Sequence, residues 1–234
     1  MIPEYLLFVD TETSGRPKHW DSRRVEEWPY IVQVAWVIFT RDGKEVKARN
    51  YLIKPDDYDI ERKSERIHGI SVAVAQEKGI ARRKALRALY SDLRQYKPMM
   101  VAHYMDFDQR MLEMGFRRAG LKNIIKETPR FCTMKATSEY IHVPGRHYPK
   151  LGELYQTLFK RRLEHQHDAM CDARAVADCF FELVRKGDID EHVIEAQQSR
   201  SRITKKIKKR TGYGLLMLLT VILTALLILF LVLQ

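Results

Sequence analysis

The sequence predicts an α/β fold, a mixed five-stranded sheet flanked by helices, followed by one C-terminal transmembrane helix. Three observations carry that expectation. Five consecutive apolar residues, Tyr5-Leu6-Leu7-Phe8-Val9, stop at Asp10, and a run without polar alternation marks a central strand covered on both faces. Two further strand-like runs follow, and after them short strands alternate with segments of helical period. Nineteen uncharged residues, Leu215 to Leu233, stand near the end of the chain.

Asp10 and Glu12 follow the first strand. Residues i and i+2 of an extended segment project to one side, so these carboxylates point together. They repel each other unless a cation lies between them. Taken alone, an Asp-x-Glu pair reads more simply as two exposed carboxylates at a strand end. The loop from Gly15 to Pro29 mixes Arg16, Lys18, Arg23 and Arg24 with Trp20 and Trp28. Such interleaving can grip single-stranded nucleic acid, but it also fits an ordinary polar loop with a tryptophan packed beneath. Tyr30 to Thr40 is the second strand, Asp42-Gly43 a hairpin turn, and Val46 to Ile53 the third strand.

Pro55 to Glu65 is polar and reads as irregular, and Ser71 is placed to cap a short helix. Ala81 to Tyr96 carries Ala85, Leu86, Leu89 and Leu93 at helical spacing, with Arg82, Arg83, Lys84 and Arg87 as a solvated face. Met99 to Ala102 reads as a fourth strand. His103 to Asp108 reads as a loop leading into a helix that runs to about Ala119. Arg130 to Thr133 is the fifth strand. Tyr148 to Phe159 is helical after Pro149, with Leu151, Leu154, Tyr155 and Leu158 on one face. Asp168 to Lys186 is a long helix with Ala169, Cys171 or Asp172, Ala175, Val176 and Cys179 inward. No internal repeat interrupts the pattern.

The length of 234 residues allows one well-buried domain and an appendage. A hydrophobic content of 45% with 10% aromatics excludes a disordered chain. The net charge of +11 invites a nucleic-acid reading, but seven Lys and Arg lie between Arg200 and Arg210, leaving +4 for the rest. Charge alone is therefore a weak argument. Cys132, Cys171 and Cys179 lack CxxC spacing, which suggests neither a disulfide framework nor a zinc site and fits a reducing compartment with all three in the core. The N-terminus lacks the pattern of a signal peptide.

Leu215 to Leu233 would span about 28 Å as a helix, matching a hydrocarbon core of about 30 Å. Fifteen of its residues are Leu, Ile, Val or Phe, which favours insertion by roughly 5 to 9 kcal/mol. The basic run on its N-terminal flank places the folded part on the cytoplasmic side by the positive-inside rule. The expected organisation is a domain over residues 1–187, a basic juxtamembrane stalk over 188–212 and a transmembrane tail anchor over 213–234.

Three stretches complete a candidate site. FVDTETSG at residues 8–15 supplies Asp10 and Glu12. AHYMDFD at 102–108 presents Asp108 where a strand gives way to a helix. HDAMCD at 167–172 supplies His167 and, near the start of the long helix, Asp172. Together these resemble the three motifs of the DnaQ-like exonucleases of the DEDD type, histidine subclass. IHGIS at 67–71, FCT at 131–133 and YPKLGELYQTLF at 148–159 are also similar to the family, and the resemblance covers residues 4 to 184. Family members often carry Asn where this chain has Tyr104, a departure that bears on substrate or scaffold contacts rather than on a metal ligand.

The resemblance implies a ribonuclease-H-like fold and metal-dependent removal of nucleotides from 3′ ends. Cleaving a phosphodiester requires a nucleophile, screening of the charge on phosphorus and a stabilised leaving oxygen. Two Mg²⁺ ions about 4 Å apart meet all three needs, and hard cations take oxygen ligands. By resemblance, Asp10 bridges both ions, Glu12 and Asp172 help to hold the one that binds the attacking water, and Asp108 serves the second. Mn²⁺ is an expected substitute. His167 takes the water's proton, since an imidazole changes charge closest to neutral pH. Thr11 and Thr13 sit where the family's main chain meets the terminal nucleotide. His103, His142, His147 and His165 read as structural or surface histidines.

The leading expectation is an exonuclease acting on 3′ ends of DNA, single-stranded or frayed, at the cytoplasmic face of a membrane. An RNase T-like or oligoribonuclease-like exoribonuclease is the alternative, differing in how the site treats a 2′-OH. A catalytically silent nucleic-acid-binding module at the membrane is the third reading, and the complete ligand set speaks against it.

Overall fold

A computed structural model describes residues 3–138, 141 and 145–199. The chain divides into two compact units, Met1–Val193 and Ile194–Gln234. The first holds a five-stranded sheet in the order β3-β2-β1-β4-β5, with β1 at its centre (Tyr5–Thr13), then β2 (Ile31–Thr40), β3 (Glu45–Leu52), β4 (Met99–Ala102) and β5 (Arg130–Cys132). Of the second unit, residues 194–199 are described, and they are helical. The expected span from Leu215 to Leu233 and the stalk from Arg200 onward lie outside the described residues. Among the described residues no helix is long and apolar enough to cross a membrane.

β1 and β2 pair antiparallel, as do β2 and β3, while β4 joins β1 in parallel and β5 joins β4 in parallel. This is the expected mixed sheet with antiparallel members at its start. The hairpin between β2 and β3 turns on Gly43, whose φ of 88° lies in the region glycine adopts without a steric cost. β1 is longer than its apolar run. It continues through Thr13 because Asp10, Thr11 and Glu12 stay in the ladder opposite Ala35, Val34 and Gln33. The parallel partner β4 leaves β1 after Phe8↔Val101. The last part of β1 therefore extends beyond the carboxyl end of β4, where open α/β sheets leave a crevice.

The helices are α1 (Arg62–His68), α2 (Val72–Lys78), α3 (Arg82–Tyr96), α4 (Met105–Arg118), α5 (Thr133–Thr137), α6 (Leu151–Phe159) and α7 (Ala169–Lys186), with a 3₁₀ turn at Val25–Glu27. α7 packs across β1 and β2, and Phe8 meets Phe180 and Phe181 there at ring distances of 5.6 Å. Leu7 and Val9, on the opposite face of β1, join the core formed with Leu86 and Leu89 of α3 and Met111 and Leu112 of α4. Even-numbered residues of β1 thus face α7 and odd-numbered ones face α3 and α4, which sets the directions of Asp10, Thr11 and Glu12.

Ser71 caps α2 as expected, its side chain accepting a hydrogen bond from the Val74 amide at 3.2 Å. Three expectations need correction. The polar segment from Pro55 to Glu65 is not wholly irregular, since α1 begins at Arg62; it buries no residue and ends on Gly69 at φ 72°, so no apolar stripe announces it. Arg82 is not a plain solvated residue, because it pairs with Asp57 and lies 4.9 Å over the Tyr30 ring. Cys132 and Cys179 are buried, but Cys171 is only partly so, because Asp172 takes the inward position beside it.

Candidate active site

The strand directions bring the expected carboxylates together from three elements. Asp10 and Glu12 point from β1 toward the start of α7. Thr11, on the opposite face, donates its hydroxyl to Asp108 Oδ1 at 2.8 Å, fixing a carboxylate in the first turn of α4 against the strand. Asp172 lies in the first turn of α7. Glu12, His167 and Asp172 offer ligand atoms that all lie within 4.8 Å of one another. Asp10 faces Asp108, Asp172 and Glu12 closely enough for each charge to act on it.

Four acids so placed are hard to ionise. Burial first, then the charges of Asp108, Asp172 and Glu12, pushes Asp10 well above the usual carboxylate range. Burial, followed by Asp172 and Asp108, raises Glu12 to about 8. Asp108 rises to about 7, again chiefly through burial, although the Thr11 hydrogen bonds oppose the shift. Asp172 rises to about 6 through burial, opposed by the backbone hydrogen bond and the charge of His167. Among the described residues no Lys or Arg forms an ion pair with any of the four.

A divalent cation fits what these residues lack. The Oδ1 atom of Asp172 is buried without a hydrogen-bond partner among the described residues, and a buried carboxylate oxygen left unsatisfied is costly. Its Oδ2 atom accepts from the His167 amide at 2.9 Å. Carboxylate oxygens are the donors that a hard cation takes.

His167 stands on the loop before α7, exposed, with a left-handed φ of 69° that follows His165 at φ 50°. This turn lets its amide hold Asp172 while its ring joins the Glu12 and Asp172 cluster at the solvent edge. Of the remaining expected residues, Thr11 spends its side chain on Asp108, and Thr13 donates its hydroxyl to the Gly15 carbonyl at 2.9 Å. His103 is structural as expected. It is buried between Thr133 Oγ1 and the Pro149 carbonyl, and burial lowers its pKa to about 4.

Sequence reasoning missed three residues. Gln33, directly opposite Glu12 in the ladder, donates to Asp168 Oδ2 at 3.0 Å and accepts from the Ala169 amide at 3.1 Å. It clamps β2 to the start of α7. Asp168 caps that helix through the amides of Met170 and Cys171. Burial works against its charge, but the Gln33 hydrogen bond and these amides outweigh it and hold its pKa below the usual value. A helix-start reading of HDAMCD could have found this cap. His68 accepts from the Ile70 amide through Nδ1 at 3.0 Å, and its Nε2 is buried without a partner among the described residues. Its only signal in the sequence was its place in IHGIS.

A five-stranded α/β sheet carries, at the end of its central strand, a cluster of carboxylates and a histidine that could hold a metal ion. The exonuclease family (RNase_T) matches residues 7–180, and the chain belongs to that family. The fold is similar to E. coli Exonuclease I in complex with a dT13 oligonucleotide, at a TM-score of 0.62 and 20% identity, covering 78% of this chain and 41% of that one. It is also similar to the nuclease domain of 3′hExo, a DEDDh family member bound to rAMP, at a TM-score of 0.63 and 13% identity, covering 79% of this chain and 94% of that one. A third similar structure is a 3′-exonuclease recognising a histone mRNA stem-loop, at a TM-score of 0.62 and 12% identity, covering 80% of this chain and 84% of that one. The chain thus spans about two fifths of Exonuclease I. A search of the curated proteins finds no match.

Proposed function

We propose that the chain is a 3′-to-5′ exonuclease that hydrolyses phosphodiester bonds at the 3′ ends of DNA, single-stranded or frayed. It releases nucleoside 5′-monophosphates while tethered to the cytoplasmic face of a membrane through residues 215–233. The observation that carries the reading is the grouping of Glu12, Asp172 and His167 at the end of β1, with the charges of Asp10 and Asp108 acting on the same cluster and one buried Asp172 oxygen left for a ligand.

The four carboxylates would hold two Mg²⁺ ions, with Mn²⁺ able to substitute. When bound, such ions supply Lewis-acid activation of water and stabilise charge on the attacking and leaving oxygens. The chain's own residues do the rest. Thr11 fixes Asp108, the His167 amide fixes Asp172, and Gln33 holds the start of α7 against β2. The exposed ring of His167 lies at the solvent edge, where an arriving water can give up its proton. We assign His167 as general base from the resemblance of HDAMCD to the family's third motif and from the acid–base chemistry of an imidazole. The main chain at Thr11 and Thr13, whose hydroxyls are spent on Asp108 and the Gly15 carbonyl, would meet the terminal nucleotide.

The test uses the full chain in detergent micelles with end-labelled single-stranded DNA, duplex DNA and RNA, in Mg²⁺, Mn²⁺ or EDTA. Release of mononucleotides from single-stranded DNA in either metal, and none in EDTA, is expected. Asp10→Ala and His167→Ala should each lose at least about 100-fold in rate. Substantial activity in either variant sinks the mechanism. Preference for RNA moves the substrate to the chemistry of the rAMP-bound and mRNA-bound relatives. Binding without EDTA-sensitive cleavage leaves a silent binding module.

A further inference from the structure

The loop before β2 divides its two tryptophans between different tasks. Trp28 is buried, its Nε1 donating to the Ser22 carbonyl at 3.0 Å. Trp20 is 52% exposed and Tyr104 is 43% exposed, the two largest exposures among the described Trp, Tyr and Phe residues. Their ring centroids lie 6.0 Å apart at an interplanar angle of 31°. Phe107 backs both, 5.8 Å from Trp20 and 6.0 Å from Tyr104. Trp20 and Tyr104 are thus two exposed neighbouring rings, Phe107 touching both and Trp28 lying edge-on to Trp20 at 6.1 Å.

The position and rigidity of this pair give it a use. Tyr104 is the N-cap of α4, one helical turn before Asp108, so the surface stands about 6 Å along the helix from a carboxylate of the site. The loop that carries Trp20 is pinned to the far end of the same helix. Arg118 donates to the carbonyls of Val25, Trp28 and Pro29, each at 2.6 Å, and lies 3.7 Å over the Tyr30 ring. Arg117 donates to the Arg23 carbonyl at 2.9 Å. Arg16, Lys18 and Arg23 are exposed on the same loop.

We propose that Trp20 and Tyr104 form a preorganised stacking platform for a base of the single strand whose 3′ end enters the carboxylate site. This rests on the exonuclease reading above. Two side chains make too small an apolar area for a stable protein interface, but they suit the flat face of one nucleobase. Stacking of this kind tolerates any base and requires an unpaired one, so the platform selects single strands over duplex without selecting sequence.

The test uses the full chain in micelles and single-stranded oligomers with 2-aminopurine placed in turn at each of the last four positions. The wild type should quench one of these positions most strongly, and Trp20→Ala and Tyr104→Ala should weaken oligomer binding at least about fivefold and relieve that quenching. In turnover, the same variants should raise KM with kcat little changed, and Trp20→Phe and Tyr104→Phe should restore it. Unchanged binding and KM in both alanine variants overturns the platform while leaving the exonuclease reading intact. Trp20-dependent quenching without any cleavage supports the platform and overturns the catalytic reading. A changed sedimentation coefficient in the alanine variants, with binding unchanged, assigns the surface to a second copy and overturns the proposal.

Discussion

Glu12 is a group that folding places where its charge is costly. The antiparallel ladder with β2 keeps it extended and inward-facing, and burial raises it from 4.5 to about 8, with Asp108 raised from 3.8 to about 7 and Asp172 from 3.8 to about 6. Without a cation the folded protein then binds more protons than the unfolded chain between roughly pH 4 and pH 8. The stabilising contribution of these groups is fully present below about pH 4 and is lost as pH rises through their folded values. A bound divalent cation reverses the sign by favouring the ionised forms. Glu12→Gln should therefore raise the melting temperature of the EDTA-treated protein at pH 8 by about 3 to 8 °C, leave it little changed at pH 5, and reduce the stabilisation gained from Mg²⁺. Melting curves at the two pH values, with EDTA and with Mg²⁺, measure this. An identical wild-type-to-variant difference at both pH values would mean that Glu12 does not carry the repulsion.

Elements explain which parts of the architecture could be read from the chain. The apolar run of β1, the Asp42-Gly43 hairpin, the Ser71 cap and the amphipathic α3 were all legible, because each signal is local. α1 escaped because a helix of seven residues with none buried has no stripe to read, and α5 escaped because it follows β5 with no intervening turn. The five candidate residues were legible as motifs, but what holds them was not. Gln33 is an unremarked polar residue in a β-prone run, and its role exists only when β2 pairs with β1 and α7 returns 135 residues later to meet it. Gln33→Leu keeps the approximate volume and removes both hydrogen bonds to the start of α7. The half-buried Asp168 oxygen and the buried Ala169 amide then lose a partner, at a cost of about 2 kcal/mol, or about 4 to 8 °C in melting temperature. If Gln33 acts by positioning α7, the Mg²⁺ concentration giving half-maximal activity should also rise. A lower melting temperature with an unchanged Mg²⁺ requirement would limit Gln33 to a structural role.

Across the whole chain, positive charge and the candidate nuclease site belong to different regions. The site is built from acids on β1, α4 and α7, while seven of the eleven net positive charges fall between Arg200 and Arg210, directly before the apolar run. On the proposed membrane-tethered reading, charges so placed would gain about 1 kcal/mol each near anionic headgroups, whereas the nineteen uncharged residues would provide insertion that salt does not screen. The two contributions can be separated. The full chain should float with vesicles of neutral lipid and stay with them in high salt and at alkaline pH, and removal of residues 213–234 should abolish this. Replacing the seven basic residues by Gln should leave flotation on neutral vesicles intact and remove the preference for anionic ones. Neither change should alter the rate on a saturating short oligomer, because neither touches the carboxylates. Loss of the full chain from vesicles in high salt would show that charge alone holds it at the surface, and the membrane-spanning reading of residues 215–233 would fail.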